Sequence, residues 1–446
     1  MKLQIQTIVF FFLICSCDNV EKSELPLYSQ QMCESLALRT FTIGREQQLA
    51  TARWSYVAGL VANSVLKAWM QYPEKTEYYY VVKQFADNNL LEGDSLRIEP
   101  HNVDDLAAGK IFFVLYRTEM EKGNEADAIR YKRCADFLRN QLKYKHKRID
   151  VDQPGAGRWI HKARYPGQMW LDGLYMAPAL YAEWQHFFGE EEGNDANMDS
   201  WTDIALQFEV NFDYTWDSEK QLNYHAFASD PDDPNAFWAQ KEGTLRGVSH
   251  EFWGRGIGWY FAALVDVLEW MPEKHPNRPR LEEILRMVAG GLVKYQDDAS
   301  GCWYQLVEYD AEKCADGVGD TMDGTVYFNK CNNCNFLESS ASSMFTYAYL
   351  KAIRLNLLDK ATFHPVAKKA YQGLIDTFIT IGEDGYLNII QSCNSAGLGP
   401  GRDPSRTGTV NYYLCGSDTF ITQNEGKAIG PFIMASLEME LINNNK

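Results

Sequence analysis

From about Arg45 onward, aromatic and aliphatic side chains recur at every third and fourth position, and no sustained two-residue alternation interrupts that period. A chain built this way must bury the apolar stripes of many helices against one another, so the expected fold class is all-α. Helices are expected to begin near Gln48, Glu77, Asp104, Glu125, Gly167, Ser200, Gly254, Arg280, Ser339, Lys360 and Glu425, with a possible further one before Arg39. Prolines fall between these segments, at Pro73, Pro100, Pro154, Pro272 and Pro365, or in a first turn, as at Pro166. A faint repeat runs through the loops: a turn, then an aromatic or aliphatic pair, then a polar side chain. Its four instances are Gly157-Arg-Trp-Ile-His161, Gln221-Leu-Asn-Tyr-His225, Gly301-Cys-Trp-Tyr-Gln305 and Gly385-Tyr-Leu-Asn388. Their spacing of roughly 65 to 85 residues suits a helix pair plus a long loop, each pair delivering a short extended segment to the same end of the structure. About six such pairs closing on themselves make an (α/α)6 barrel, whereas an open solenoid would show shorter loops and a plainer repeat. No linker divides the chain. The expected layout is a leader over residues 1–16, a tether and N-terminal segment over 17–40, and a single barrel domain over 41–446.

The first residues set the expected compartment. Met1 to Cys17 reads MKLQIQTIVFFFLICSC, with one lysine and an apolar run from Ile8 to Ile14 too short to span a bilayer. Ile14-Cys15-Ser16-Cys17 matches the bacterial lipoprotein pattern, in which Cys17 takes the lipid and becomes the mature N-terminus; an ordinary cleaved signal peptide is the alternative. The expected location is therefore export, with a lipid anchor in a bacterial membrane as the one membrane contact. In an oxidising compartment Cys302, Cys314, Cys331 and Cys334 are expected as disulfide partners rather than metal ligands, because Cys331 and Cys334 form a single close pair and zinc needs more. Cys33, Cys134, Cys393 and Cys415 are scattered, and nothing in their spacing pairs them. The acids Asp316, Asp320 and Asp323 lack the regular spacing of a calcium loop. A formal charge of −17 with no basic run excludes nucleic acid as a partner.

Three clusters carry candidate chemistry. In Arg158 to Met176, Asp172 is flanked by Trp170, Leu171, Leu174, Tyr175 and Met176, where an ionised carboxylate is costly and a general acid is well placed; a helix N-cap is the alternative. His101-Asn-Val-Asp104-Asp105 brings a second carboxylate to a helix start, followed by small residues that permit close packing or a ligand opening. His250-Glu-Phe-Trp253-Gly254-Arg255-Gly256-Ile-Gly258-Trp259 contains Gly-x-Gly, but no strand precedes it and Trp, Arg and Trp crowd the loop, which argues against a dinucleotide cradle. Arg255 and Trp259 share a helical face and offer a cation for a carboxylate and a flat surface for a sugar ring, with core packing of Trp253 and Trp259 as the alternative.

The run His161-Lys162, Tyr165-Pro-Gly-Gln-Met-Trp170-Leu-Asp172-Gly-Leu-Tyr-Met176, then His225-Ala-Phe227, Trp253-Gly-Arg255-Gly-Ile-Gly-Trp259, Glu338 to Tyr347 and Gly426-Lys427-Ala-Ile-Gly430-Pro431-Phe432 resembles the unsaturated glycuronyl hydrolases of glycoside hydrolase family 105, related to family 88. The resemblance extends from about Trp54 to Glu438 and implies the same six-pair barrel. It also implies Asp172 as general acid/base, Asp104 as second active-site aspartate, and Tyr56, His161, Trp170, His225, Arg255, Trp259 and Lys427 as substrate-binding positions. Two departures bear on what sits beyond the first sugar: Lys427 stands where a histidine is expected, and the Cys-bearing insert from Asp310 to Asn335 is long. The implied reaction hydrates the 4,5-unsaturated uronic acid that polysaccharide lyases leave at a non-reducing end, with no metal or organic cofactor, on rhamnogalacturonan- or ulvan-type oligosaccharides. The rivals are an inverting hydrolase of saturated glycans using Asp104 and Asp172, and a surface lipoprotein that binds glycans without catalysis.

Overall fold

The computed structural model describes residues 27–38, 41–42, 46–401 and 404–444; Cys17 and the expected leader lie outside them. Fourteen α-helices are present among the described residues: α1 (Tyr28–Leu38), α2 (Tyr56–Gln71), α3 (Thr76–Asn89), α4 (Ile111–Glu121), α5 (Glu125–Asn140), α6 (Leu171–Met176), α7 (Pro178–Phe188), α8 (Asn194–Thr215), α9 (Gly254–Trp270), α10 (Arg278–Val293), α11 (Ser339–Arg354), α12 (Lys360–Phe378), α13 (Val410–Cys415) and α14 (Gly426–Asn444). None is long and apolar enough to cross a membrane.

The helices alternate between an inner and an outer ring. Inner α14 packs on α2, α2 on α4 and the 3-10 turn Ala107–Lys110 ahead of it, that turn on α7, α6 and α7 on α9, α9 on α11, and α11 back on α14. Outer α3, α5, α8, α10 and α12 each cover the inner helix that precedes them, and α1 covers α14. This is an (α/α)6 barrel. Helices of the inner ring are buried all round, as α9 from Gly254 to Leu268 and α11 from Ser339 to Ile353 show. They approach closely through small residues: a Cβ on Gly59 of α2 would stand 2.3 Å from Ala108.

The sixth hairpin joins the two ends of the described chain. Ser29 of α1 donates through its backbone N–H and its hydroxyl to Glu440 of α14, at 3.2 and 2.7 Å, and Tyr72 Oη donates to the same carboxylate at 2.8 Å. The barrel therefore includes residues 28–38, and the expected boundary at residue 41 moves to before Tyr28, because α1 packs along α14 as the other outer helices pack on their inner partners. At the far end of the inner ring, Lys351 of α11 binds Asp266 and Glu269 of α9 at 2.6 and 2.8 Å, and Arg354 binds Glu438 of α14 at 2.6 Å.

The repeated loops are the returns from outer to inner helix. Each begins on a residue with left-handed backbone, Gly157, Gln221, Gly301 and Gly385, turns, and runs extended toward the next inner helix. Several expected boundaries shift. The helix expected near Gln48 begins at Tyr56, where Ser55 accepts from the Ala58 amide; the one near Asp104 opens with 3-10 turns and becomes α4 only at Ile111; the one near Gly167 begins at Leu171 and breaks before Pro178. Pro365 lies inside α12 rather than before it, where Asp359 supplies the N-cap.

Cys314 pairs with Cys334 and Cys331 with Cys415, while Cys302 is a free buried thiol. The expectation for Cys302 is thus corrected, and the scattered Cys415 gains a partner 84 residues away that only the fold brings near. Asp320, in the acidic loop, accepts hydrogen bonds from Asn329, Thr407, Thr409 and Asn411.

Candidate active site

Because inner and outer helices alternate, the inner helices all run one way and their first turns share one end of the ring. Acidic residues stand at four of those starts: Asp104 ahead of α4, Asp172 in α6, Glu338 ahead of α11 and Glu425 ahead of α14.

Asp172 is placed by strand pairing. The strand Gln168–Trp170 runs antiparallel to Ala226–Ala228, with Trp170 opposite Ala226, and the Leu171 amide donates to the His225 carbonyl at 2.9 Å. That register sets the side chain of Asp172 against that of His225, whose Nε2 lies 3.1 Å from Asp172 Oδ2. Trp170, not Asp172, occupies the N-cap position, so capping does not consume the carboxylate. The residue after Asp172 must be small: a Cβ on Gly173 would meet Met169 Sδ at 2.4 Å and His161 Nδ1 at 3.0 Å. His225 is fully buried between the rings of Trp170 and Trp253, at 5.7 and 4.6 Å, and its Nδ1 is 2.7 Å from Tyr413 Oη. Burial holds its proton affinity below the usual histidine range against the opposing pull of Asp172.

Asp104 sits in a different electrostatic setting. It lies in the 3-10 turn Val103–Asp105, where Asn102 Oδ1 accepts from its amide. Its Oδ1 is 3.1 Å from His161 Nε2 and its Oδ2 is 2.5 Å from Lys162 Nζ. Burial alone would push this carboxyl up, but Lys162 and His161 outweigh it and hold it far below the ordinary carboxylate range. Asp105 points elsewhere, accepting from the Glu99 amide, and burial pushes it up to about 6. Trp170 is the partition between the two carboxylate pairs: its indole stacks on His161 at 4.6 Å and meets His225 edge-on.

Tyr56, in the first turn of α2, is partly exposed and meets Trp259 edge-on at 6.3 Å. Burial of its hydroxyl, reinforced by Asp104 and Glu425, raises its proton affinity, so it remains a neutral phenol. Trp259 and Trp170 are core residues rather than open platforms, Trp259 lying 4.7 Å from the Tyr175 ring. Lys427 is buried with its Nζ 2.7 Å from Glu425 Oε1.

Arg255 differs most from its expected role. It is 1% exposed, and its guanidinium is engaged inside the protein: Nε donates to Ser340 Oγ at 2.7 Å, Nη2 to Glu338 at 3.3 Å and to the Cys393 carbonyl, and Nη1 to the Asn394 carbonyl at 3.4 Å. These bonds leave Arg255 as a pin between α9, α11 and the strand Ser392–Cys393, beneath the site rather than on its wall.

The cations nearer the opening are ones sequence reasoning passed over. Lys162 is 16% exposed and touches Asp104. Arg406, 11% exposed, lies 5.7 Å over the Trp170 ring and donates to Tyr165 Oη at 3.3 Å. Glu338 and Glu425 were also missed, though an acid at or ahead of the start of an inner helix is a pattern the sequence carries four times. Tyr413 has no local signal at all.

The chain matches the family model described as Glycosyl Hydrolase Family 88 over residues 28–316 and 325–442. A solved glycoside hydrolase from family 105 of C. acetobutylicum superposes with a TM-score of 0.76 at 33% identity, covering 93% of this chain and all of that one. The unsaturated rhamnogalacturonyl hydrolase YesR of Bacillus subtilis is 23% identical over 258 residues, 57% of this chain and 64% of that protein. An unsaturated 3S-rhamnoglycuronyl hydrolase of Alteromonas sp. is 27% identical over 244 residues, 53% of this chain and 52% of that protein. With a family match over most of its length and a full-length relative at 33% identity, the chain belongs to Glycosyl Hydrolase Family 88 together with the family 105 hydrolases, and is an enzyme of the unsaturated glycuronyl hydrolase family.

Proposed function

We propose that the enzyme removes the 4,5-unsaturated uronic acid from the non-reducing end of lyase-generated oligosaccharides, of rhamnogalacturonan or ulvan type, with Asp172 as general acid/base. The carrying observation is the contrast between its two carboxylates. Asp104 has a cationic or imidazole partner on each oxygen and stays an anion. Asp172, 14% exposed, has its hydrogen bond through Oδ2 to a neutral imidazole, which leaves Oδ1 to exchange a proton. Carboxyl groups held in unlike settings divide the roles of proton mover and fixed charge.

The unsaturated sugar is an enol ether. Asp172 delivers its proton to carbon 4, which leaves an oxocarbenium ion at carbon 5; water adds there and returns a proton to Asp172. The resulting hemiketal opens and expels the rest of the chain. One group serves both steps, so no separate nucleophile is needed, unlike ordinary glycoside hydrolysis. An anionic sugar approaching a chain of net charge −17 must be held by short contacts; Lys162 and Arg406, the more exposed cations around Trp170, supply them, while His161 holds Asp104. Tyr56 supports the sugar from α2. The names of the two relatives, an unsaturated rhamnogalacturonyl hydrolase and an unsaturated 3S-rhamnoglycuronyl hydrolase, support the substrate class. The reaction calls for a polysaccharide lyase upstream, and the leader over residues 1–16 followed by Cys17 supports export with a lipid anchor on Cys17.

The test compares lyase-generated with acid-generated oligosaccharides. Only the former carry the ultraviolet absorbance of the enol ether, and the enzyme should abolish it. Asp172→Asn should lose at least about 100-fold in rate with its fold intact. A variant keeping a tenth of the rate, or cleavage of the saturated products, would overturn this reading.

A further inference from the structure

His225 is wholly enclosed, yet both ring nitrogens are engaged, Nδ1 by Tyr413 Oη at 2.7 Å and Nε2 by Asp172 Oδ2 at 3.1 Å. A neutral imidazole has one N–H, and its two partners decide which nitrogen carries it. Burial pushes His225 toward the neutral form and raises the Tyr413 hydroxyl well above the ordinary tyrosine range, so the phenol keeps its proton. An ionised carboxylate can only accept. When Asp172 is ionised, one arrangement satisfies all three groups: the Tyr413 hydroxyl donates to Nδ1, and Nε2–H donates to Oδ2.

We infer that Tyr413 is a positioning residue, its hydroxyl fixing His225 as the Nε2–H tautomer so that Asp172 keeps a donor on Oδ2 and moves its proton through Oδ1. The inference rests on the reading of Asp172 as the proton mover. In each turnover Oδ1 gives its proton to carbon 4 and recovers one from the water that adds at carbon 5, while the His225 tautomer stays unchanged.

The fold commits a separate structure to holding Tyr413. It lies on the short helix α13, whose N-cap Thr409 accepts from the Tyr412 amide at 3.2 Å, and its own carbonyl accepts from Gln305 Nε2 at 2.6 Å. Gln305 is the polar member of the third repeated loop. The last residue of α13, Cys415, is bridged to Cys331 of the insert, and Asp320 of the insert gathers donors from Thr407, Thr409 and Asn411. The long Cys-bearing insert thus braces the segment that presents Tyr413. Trp253 closes the pair from one side, 4.6 Å from His225 and 6.0 Å from Tyr413. The other titratable or charged groups facing the relay are His161 and Arg406 toward His225, and Tyr412, Glu251 and Cys393 toward Tyr413.

Tyr413→Phe removes the donor to Nδ1 and little else. With it gone, the Nδ1–H tautomer becomes accessible once Asp172 carries a proton to donate, Nε2 then turns acceptor, and the protonated form of Asp172 is favoured. Since the general acid must be protonated to react, the alkaline limb of kcat/KM should move to higher pH, by at least about half a unit, and kcat should fall at least about 10-fold for want of the correct tautomer. A two-bond proton–nitrogen spectrum of 15N-histidine protein, with the His225 signals identified by their loss in His225→Gln, reads the tautomer without substrate. Recorded on the acid side of the rate profile, where Asp172 is protonated and no longer holds Nε2–H by itself, it should show Nε2–H in the parent and loss of that state in Tyr413→Phe. A parent found as Nδ1–H, or a folded Phe variant that keeps both Nε2–H and the parent pH limb, overturns the inference. If the tautomer changes as stated but the parent leaves enol ethers untouched, the hydration reading falls and the setting of His225 by Tyr413 stands.

Discussion

Replacing Arg255 with lysine separates a structural pin from a substrate clamp. The guanidinium reaches Glu338, Ser340, the Cys393 carbonyl and the Asn394 carbonyl from one buried position, and Glu338 is itself 1% exposed. An ammonium keeps the charge but is a single point, so it cannot serve a planar fork's several acceptors at once. Losing part of a buried ion pair and stranding buried acceptors costs about 3–5 kcal/mol. At about 2.1 cal/mol/K of unfolding entropy per residue, a domain of roughly 400 residues converts that loss into a fall of about 4–6 °C in Tm. The assay is paired: calorimetry for stability, and initial rates on a lyase-generated oligosaccharide for KM and kcat. Arg255→Lys should melt earlier while its folded fraction keeps KM within about twofold of the parent, because a pin beneath the site contributes little differential binding. An unchanged Tm with a tenfold rise in KM would refute the argument and return Arg255 to the carboxylate of the substrate.

Glu251 gives a pH test. Burial, with Glu308 as the second cause, pushes it up to about 7, above its unfolded value of about 4.3. A carboxyl raised on folding contributes stability that is whole below pH 4 and lost as pH rises through 7, so Glu251→Gln should flatten the decline between about pH 5 and 8, by about 1–3 kcal/mol in denaturant titrations; parallel pH slopes in parent and variant would count against it. For the anchor, Cys17→Ala should release the protein from membrane fractions, and a mature N-terminus found elsewhere without lipid would remove Cys17 from that role.

Much of the barrel is legible in the chain because helix burial writes a period into it. The inner helices α9 and α11 begin where the sequence places them, at Gly254 and Ser339, and the four loop repeats mark real returns from outer to inner ring, since each needs a left-handed residue to reverse direction. Asp172 stands out in the chain as a candidate for a local reason: a carboxylate among Trp170, Leu171 and Leu174 is costly to bury. The helix boundaries near Gln48 and Asp104 were not legible, because 3-10 turns carry the same spacing as the start of an α-helix.

What the sequence determined by itself is that the inner-helix starts and the repeated loops, with Asp104, Asp172, His161 and His225 on them, come to one end of the ring, for that follows from helix period and loop order. What each group does there was decided by tertiary contacts that no spacing encodes. Arg255 looks the same in the chain whether its fork meets a sugar or Glu338, and only the packing of α9 against α11 spends it on the latter. Asp104 and Asp172 are both aspartates at helix starts, and they part only because Lys162 and His161 converge on one and a neutral His225 on the other. Tyr413 reaches His225 across 188 residues, through a helix braced by a disulfide that closes between Cys331 and Cys415. The strength of an electrostatic contact depends on distance and on the water excluded around it, and both are properties of the folded chain alone.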